Sequence, residues 1–171
     1  MSILNKENLN SNKENPNLNL PNSENSTTNI IPEKSALILF CKDLNEINSQ
    51  NQNGWTPIYN SVITNNLECL NELLKLGANP NIPNLLNETP LYQSIEMENY
   101  DALIILLQYN PDCNISNNNG MSPLHLASQK KLINFISVLL RHGINTNLQN
   151  TLFLQTPLHI AIINKLKMMI I

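Results

Sequence analysis

Glycine is scarce in this chain, with four residues in 171. So few cannot build a phosphate-cradling loop, and no G-x-x-x-x-G-K-S/T run occurs. Basic residues are also sparse, ten Lys and Arg against thirteen Asp and Glu, for a formal net charge of −3. They form no stripe, so a nucleic-acid backbone finds no electrostatic footprint. No apolar run exceeds six residues, as at 36–41, far short of the roughly twenty needed to cross a bilayer. The opening M-S-I-L-N-K-E-N lacks the apolar core of a secretory signal. Cys41, Cys69 and Cys113 are odd in number and lack the paired C-x-x-C spacing of a zinc site. They read as small apolar fillers in a reducing compartment. With three histidines there is no H-E-x-x-H and no Ser-His-Asp cluster. The expectation is an intracellular, cytoplasmic protein without cofactor or metal that is not an enzyme.

Asparagine is abundant. Ten of the first thirty residues are Asn, with Ser, Lys, Glu and Pro filling in. Such a segment buries too little apolar surface to offset its ordering entropy, so residues 1–31 are predicted to be disordered. A binding arm, an aggregation-prone polar tract and plain codon bias all fit that composition. Further on, Thr56-Pro57, Thr89-Pro90, Ser122-Pro123 and Thr156-Pro157 recur at intervals of 33, 33 and 34 residues. The continuations P-I-Y-N-S, P-L-Y-Q-S, P-L-H-L-A and P-L-H-I-A are also alike. A fixed period in this range marks one supersecondary unit copied along the chain.

Each copy has a readable plan. Thr or Ser caps a helix through its hydroxyl, and Pro suits the first position, where no N–H partner is needed. Short helices are predicted over Pro57–Ile63, Pro90–Glu96 and Pro123–Gln129. Turns follow at Asn65-Asn66, Glu98-Asn99 and Lys130-Lys131, of which only Asn65 suits a left-handed backbone. A second, more apolar helix carries Leu67, Leu70, Leu73 and Leu74 at helical spacing, then Leu103, Leu106 and Leu107, then Ile133, Ile136, Leu139 and Leu140. One helix pair is too small to enclose those side chains, so neighbouring copies must supply the other wall. Gly77 and Gly143 stop the second helix, with Asn110 in the equivalent place. Asn53-Gly54 and Asn119-Gly120 signal tight hairpins ahead of the next Thr-Pro.

These residues resemble the ankyrin repeat, whose pattern is G-x-T-P-L-H-x-A, a Leu-rich second helix and G-A-D-x-N. The best matches are G-M-S-P-L-H-L-A at 120–127 with L-L-R-H-G-I-N-T-N at 139–147, and G-W-T-P-I-Y-N-S at 54–61 with L-L-K-L-G-A-N-P-N at 73–81. The resemblance implies an all-α fold, a right-handed α-solenoid of helix-turn-helix units joined by β-hairpin-like fingers, behind the disordered tail. Full units are expected at 51–83, 84–116 and 117–150, with a degenerate N-terminal cap at 32–50 carrying Leu37, Leu39, Phe40 and Cys41. A partial unit spans 151–171. It has one extra finger residue, Leu154 in place of glycine, and stops where a second helix should run, which would leave Leu140 and its neighbours partly uncovered. The expectation at this point is a fragment or truncated product.

The resemblance also assigns roles. Thr56, Thr89, Ser122, Thr156, Gly77 and Gly143 are structural, as are His125 and His159, whose imidazoles hydrogen-bond within and between repeat loops. His142 is expected simply to be exposed. In ankyrin proteins, partners bind to the finger tips and the exposed face of the first helices, which line a concave groove. The matching positions here are Gln52, Asn53, Trp55 and Ile63 in the first unit and Leu85, Leu86, Glu88, Glu96 and Met97 in the second. The third contributes Asn118, Asn119, Met121, Gln129 and Lys130. Trp55, Leu85, Leu86 and Met121 would form an apolar stripe along successive tips, a feature of protein interfaces. The implied function is non-catalytic protein–protein interaction by a monomer whose partner is an unidentified protein, with no nucleic acid and no membrane insertion. A targeting or regulatory fragment of an enzyme, channel or ubiquitin-ligase adaptor is the alternative, as is a non-functional remnant.

Overall fold

The computed structural model describes residues 46–169. The Asn-rich segment 1–31 and the cap residues Leu37, Leu39, Phe40 and Cys41 lie outside the described residues. Among the described residues seven helices follow one another: α1 (Pro57–Ile63), α2 (Leu67–Lys75), α3 (Pro90–Glu96), α4 (Tyr100–Leu107), α5 (Pro123–Lys130), α6 (Ile133–Arg141) and α7 (Pro157–Met169). Among the described residues there is no strand.

Local chemistry starts each first helix. The hydroxyls of Thr56, Thr89 and Ser122 accept the backbone N–H three residues on, and Pro opens the first turn behind each. Each of these helices ends in paired backbone bonds. After α1, the N–H of Asn65 donates to Val62 and that of Asn66 to Ser61; after α3, Glu98 donates to Ile95 and Asn99 to Ser94. After α5, Lys131 and Leu132 repeat the arrangement with Ser128 and Ala127. This Schellman closure demands a left-handed residue, and Asn65, Glu98 and Lys131 all take it at φ 51°, 56° and 61°. The sequence expectation that only Asn65 would suit this conformation is therefore corrected: carbonyl satisfaction outweighs the side-chain preference of Glu98 and Lys131. Helix α5 also extends one residue beyond Gln129, to Lys130.

The second helices close through Gly77 and Gly143, at φ 88° and 70°, and through Asn110 at φ 48°. Gly77 completes both bonds, its own N–H to Leu74 and that of Ala78 to Leu73. After α4 the second bond cannot form, because Pro111 has no N–H to give.

The helices stack in two rows. Helix α1 packs on α2 and α3; α3 packs on α4 and α5; α5 packs on α6 and α7; and α2 lies against α4. Between the rows sits one continuous core, in which Leu70, Leu73, Leu91, Ile95, Leu103, Leu106 and Leu139 are almost fully buried. Tyr100 meets Phe135 edge to face at 5.2 Å, joining α4 to α6. Cys69 and Cys113 are buried thiols. The last unit departs from the pattern, since α7 runs unbroken where the earlier copies turn. The positions matching Asn65 and Asn66 are Lys165 and Leu166, which supply neither a left-handed Asn nor an Asn cap.

Two asparagine series link the copies. Asn79, Asp112 and Asn145 each accept the backbone N–H two residues on, from Asn81, Asn114 and Asn147, at 2.8–2.9 Å. Asn48, Asn81 and Asn114 each accept a backbone N–H from the following copy, that of Asn79, Asp112 and Asn145, at 2.7–2.8 Å. The result is a zigzag of side-chain acceptors running from Asn48 to Asn147.

Candidate protein-binding surface

Each finger is folded by one asparagine. The side-chain oxygen of Asn51 accepts the N–H groups of Asn53 and Trp55, both at 2.9 Å. Asn84 does the same for Leu86 and Glu88, and Asn117 for Asn119 and Met121, at 2.9–3.0 Å. Asn150 holds Phe153 and Gln155 at 3.1 Å, with the extra residue accommodated inside the turn. The turn closes on a left-handed residue in each case: Gly54, Asn87, Gly120 and Leu154. These four asparagines were not singled out in the sequence; their spacing of 33 residues, in register with Thr-Pro or Ser-Pro in the first three copies, was the available signal.

Fingers are also tied to one another. Asn118 N–H donates to Leu86 O, and Thr151 N–H to Asn119 O, both at 3.0 Å. Gly54 and Gly120 allow this approach, because a Cβ on either would lie 2.8 Å from the backbone nitrogen of Leu85 or Thr151. The finger asparagines reach back as well. Asn84 Nδ2 donates to the Tyr59 hydroxyl at 2.8 Å, and Asn117 Nδ2 to that of Tyr92 at 3.1 Å. Tyr59 in turn donates to Gln93 Oε1 at 2.8 Å. Burial, then the Glu88 and Glu96 carboxylates, pushes Tyr92 up to about 12. Both phenols are therefore neutral hydrogen-bonding groups.

His125 occupies the equivalent position in the third copy. Its Nδ1 accepts the Ser122 N–H at 3.1 Å, which fixes the proton on Nε2, 2.9 Å from the Gln155 carbonyl. Burial lowers its pKa, against the opposing pull of the Gln155 and Leu148 backbone groups. His159 makes the same Nδ1 contact with the Thr156 N–H at 3.2 Å but is exposed; His142 is exposed too. Burial, then the charge of Asp112, raises the Cys113 thiol to about 11, so it stays protonated and a poor nucleophile at neutral pH. Among the described residues no three His, Cys, Asp or Glu side chains are placed to hold a metal.

The tips themselves alternate. Gln52 and Asn53, then Leu85 and Leu86, then Asn118 and Asn119 stand exposed on successive fingers, and the fourth presents Leu152, Phe153 and Leu154. Leu85 and Leu86 are 69% and 59% exposed and do not fold under the neighbouring finger; Phe153 is 73% exposed. Trp55 is not a free tip. It is half-buried and stacks on Tyr59 at 5.9 Å, because its bulk finds an apolar face beside the finger. Met121 is half-buried against the core, and Ile63 and Glu88 are half-buried as well. On the first helices Met97, Glu96 and Gln129 are exposed. Lys130 is drawn onto the preceding copy, with Nζ 2.6 Å from Glu96 O and 3.4 and 3.7 Å from the Glu96 and Glu98 carboxylates. The apolar stripe is thus made by the second and fourth fingers rather than by Trp55 and Met121. Leu152, Phe153 and Leu154 were missed in the sequence because the extra residue broke the alignment that marked the other tips.

Beside the fourth finger lies a cleft of about 500 Å³. Its apolar lining comes from Met121, Leu152, Phe153, Ile160 and Ile163, and the carboxamides of Asn119, Gln129 and Gln155 rim it.

The family model for ankyrin repeats in three copies matches residues 8–117 and again residues 106–170. No curated protein matches the chain. With stacked helix pairs, hydrogen-bonded fingers and a family match along nearly its whole length, the chain belongs to the ankyrin-repeat family.

Proposed function

We propose that the chain is a non-catalytic interaction module that binds a protein through its row of finger tips and the exposed face of α1, α3 and α5. Ankyrin repeats generally serve protein–protein interaction, and the proposal places the partner on one side of this chain. The observation that carries it is the exposure of Leu85, Leu86, Leu152, Phe153 and Leu154 on fingers that are hydrogen-bonded in place. Exposed large apolar side chains on a fixed frame favour association, because little ordering cost remains at binding. The reading assigns the chain to the cytoplasm as a monomer, where the buried thiols of Cys69 and Cys113 stay reduced. No helix among the described residues is long and apolar enough to cross a membrane.

The experiment is affinity capture with three forms of the chain: unaltered, Leu86→Ser with Phe153→Ser, and Lys75→Ser with Asp101→Ser on the second helices. Proteins retained by the first and third forms and lost from the second support the proposal. Equal retention by all three, or loss only from the third, refutes it.

A further inference from the structure

The tip sequence is polar, apolar, polar, apolar along the four fingers, and no tip is charged. Helices that pack in register lie about 8–10 Å apart, so the second and fourth fingers stand roughly 20 Å from one another. An extended chain advances about 3.3 Å per residue and covers that distance in about six residues. Between the two apolar fingers lie Asn118 and Asn119, both exposed. Asn118 turns its carboxamide toward Leu85 O at 3.4 Å, and the Asn119 carboxamide rims the cleft of the fourth finger. The lining also contains Gln129 and Gln155, its apolar part includes Met121, Phe153, Ile160 and Ile163, and it has no ionisable side chain. A carboxamide offers one acceptor and two donors, which complements the C=O and N–H of a peptide unit and gives no advantage to a charged group. Leu152 and Phe153 line this cleft, and Leu154, left-handed at φ 53°, stands exposed beside them.

We infer that the surface takes an extended, uncharged peptide segment with two bulky apolar anchors about six residues apart, one in the cleft beside Phe153 and one on Leu85 and Leu86. The inference rests on the proposed function and deepens it by naming the chemistry of the segment bound. The two anchors act together: once one is seated, the other binds at a high effective concentration set by the spacer, and a spacer of the wrong length loses that gain.

The probes are fluorescein-labelled synthetic peptides whose Phe and Leu anchors lie two, six or ten positions apart, joined by Gly, Ser and Gln residues, plus single-anchor controls. Binding to the full chain is read by anisotropy, and its location by amide chemical-shift changes. The six-residue spacing is expected to bind at least tenfold more tightly than either other spacing and than each single anchor. Phe153→Ser and Leu86→Ser, both exposed and checked for unchanged melting, should each reduce that peptide to single-anchor affinity. Shift changes at the fingers with no dependence on spacing would overturn the two-anchor inference and leave the groove reading standing. Shift changes confined to α2, α4 and α6 would overturn both. Absence of binding by every peptide would overturn the inference, while the capture experiment still judges the groove.

Discussion

Leu154 holds a left-handed backbone at an exposed turn where the other fingers use Gly54, Asn87 and Gly120. A residue with a Cβ pays about 1–2 kcal/mol there, and Asn pays less because its short polar side chain bonds locally. Leu154→Asn, copying Asn87, is expected to raise stability by about 0.5–1 kcal/mol, read from urea denaturation. His125 carries a second residue-scale prediction. Its folded pKa is lowered by burial, whereas in the unfolded chain it titrates near the usual value of about 6.5. The unfolded chain therefore takes up more protons as pH falls past that value. The contribution of His125 is complete above about pH 6.5 and is lost as pH drops through the folded pKa. In His125→Tyr the hydroxyl would meet Asn150 Nδ2, which now makes only a 3.7 Å contact to the Met121 sulfur, as Tyr59 meets Asn84. Denaturation at pH 7.5 and 5.0 should show a smaller loss for the variant than for the unaltered chain. At this scale the caps at Thr56, Thr89 and Ser122 were legible, since Thr-Pro and Ser-Pro have few other uses at that spacing. The finger asparagines were not, because in a chain so rich in Asn their composition carried no signal.

The helices differ in how their starts are secured. Asn66 and Asn99 accept the N–H groups of Cys69 and Ala102 at 3.2 and 3.0 Å, while Leu132 gives α6 no side-chain cap. Asn99 also donates to Asn65 Oδ1 of the preceding copy at 2.8 Å. Asn66→Ala and Asn99→Ala are each expected to cost about 1 kcal/mol, measured by thermal melting, with Asn99→Ala the larger because it also breaks a link between copies. The Thr-Pro and Ser-Pro caps located α1, α3 and α5, the last to within one residue, and the apolar period of 3.6 residues located α2, α4 and α6. Sequence pattern failed at Glu98 and Lys131, where the left-handed turn is imposed by the carbonyls of the helix behind. It failed again in the last unit, where α7 continues through the expected turn at Lys165. Tertiary neighbours decide such breaks.

Across the stack, equivalent leucines show unequal burial: Leu74 is 4% exposed, Leu107 2% and Leu140 48%. The first two are closed in by the next copy, and among the described residues no second helix of a following copy lies over Leu140. Leu107→Ala should therefore cost about 2–5 kcal/mol and Leu140→Ala less than about 1 kcal/mol, both from urea denaturation. That asymmetry could be anticipated from the period, since stacking walls each copy with its neighbour. The position of the most apolar tip could not, because one inserted residue shifted the fourth finger out of register. A last consequence comes from the zigzag between Asn48 and Asn147. Five of its six side-chain acceptors, Asp112 excepted, are neutral carboxamides. Neither dissolved ions nor mild acid has much charge there to act on. The distance from one copy to the next is gauged by a clasp that salt hardly loosens, and whatever rests on the tips meets the same ruler in dilute buffer and in brine.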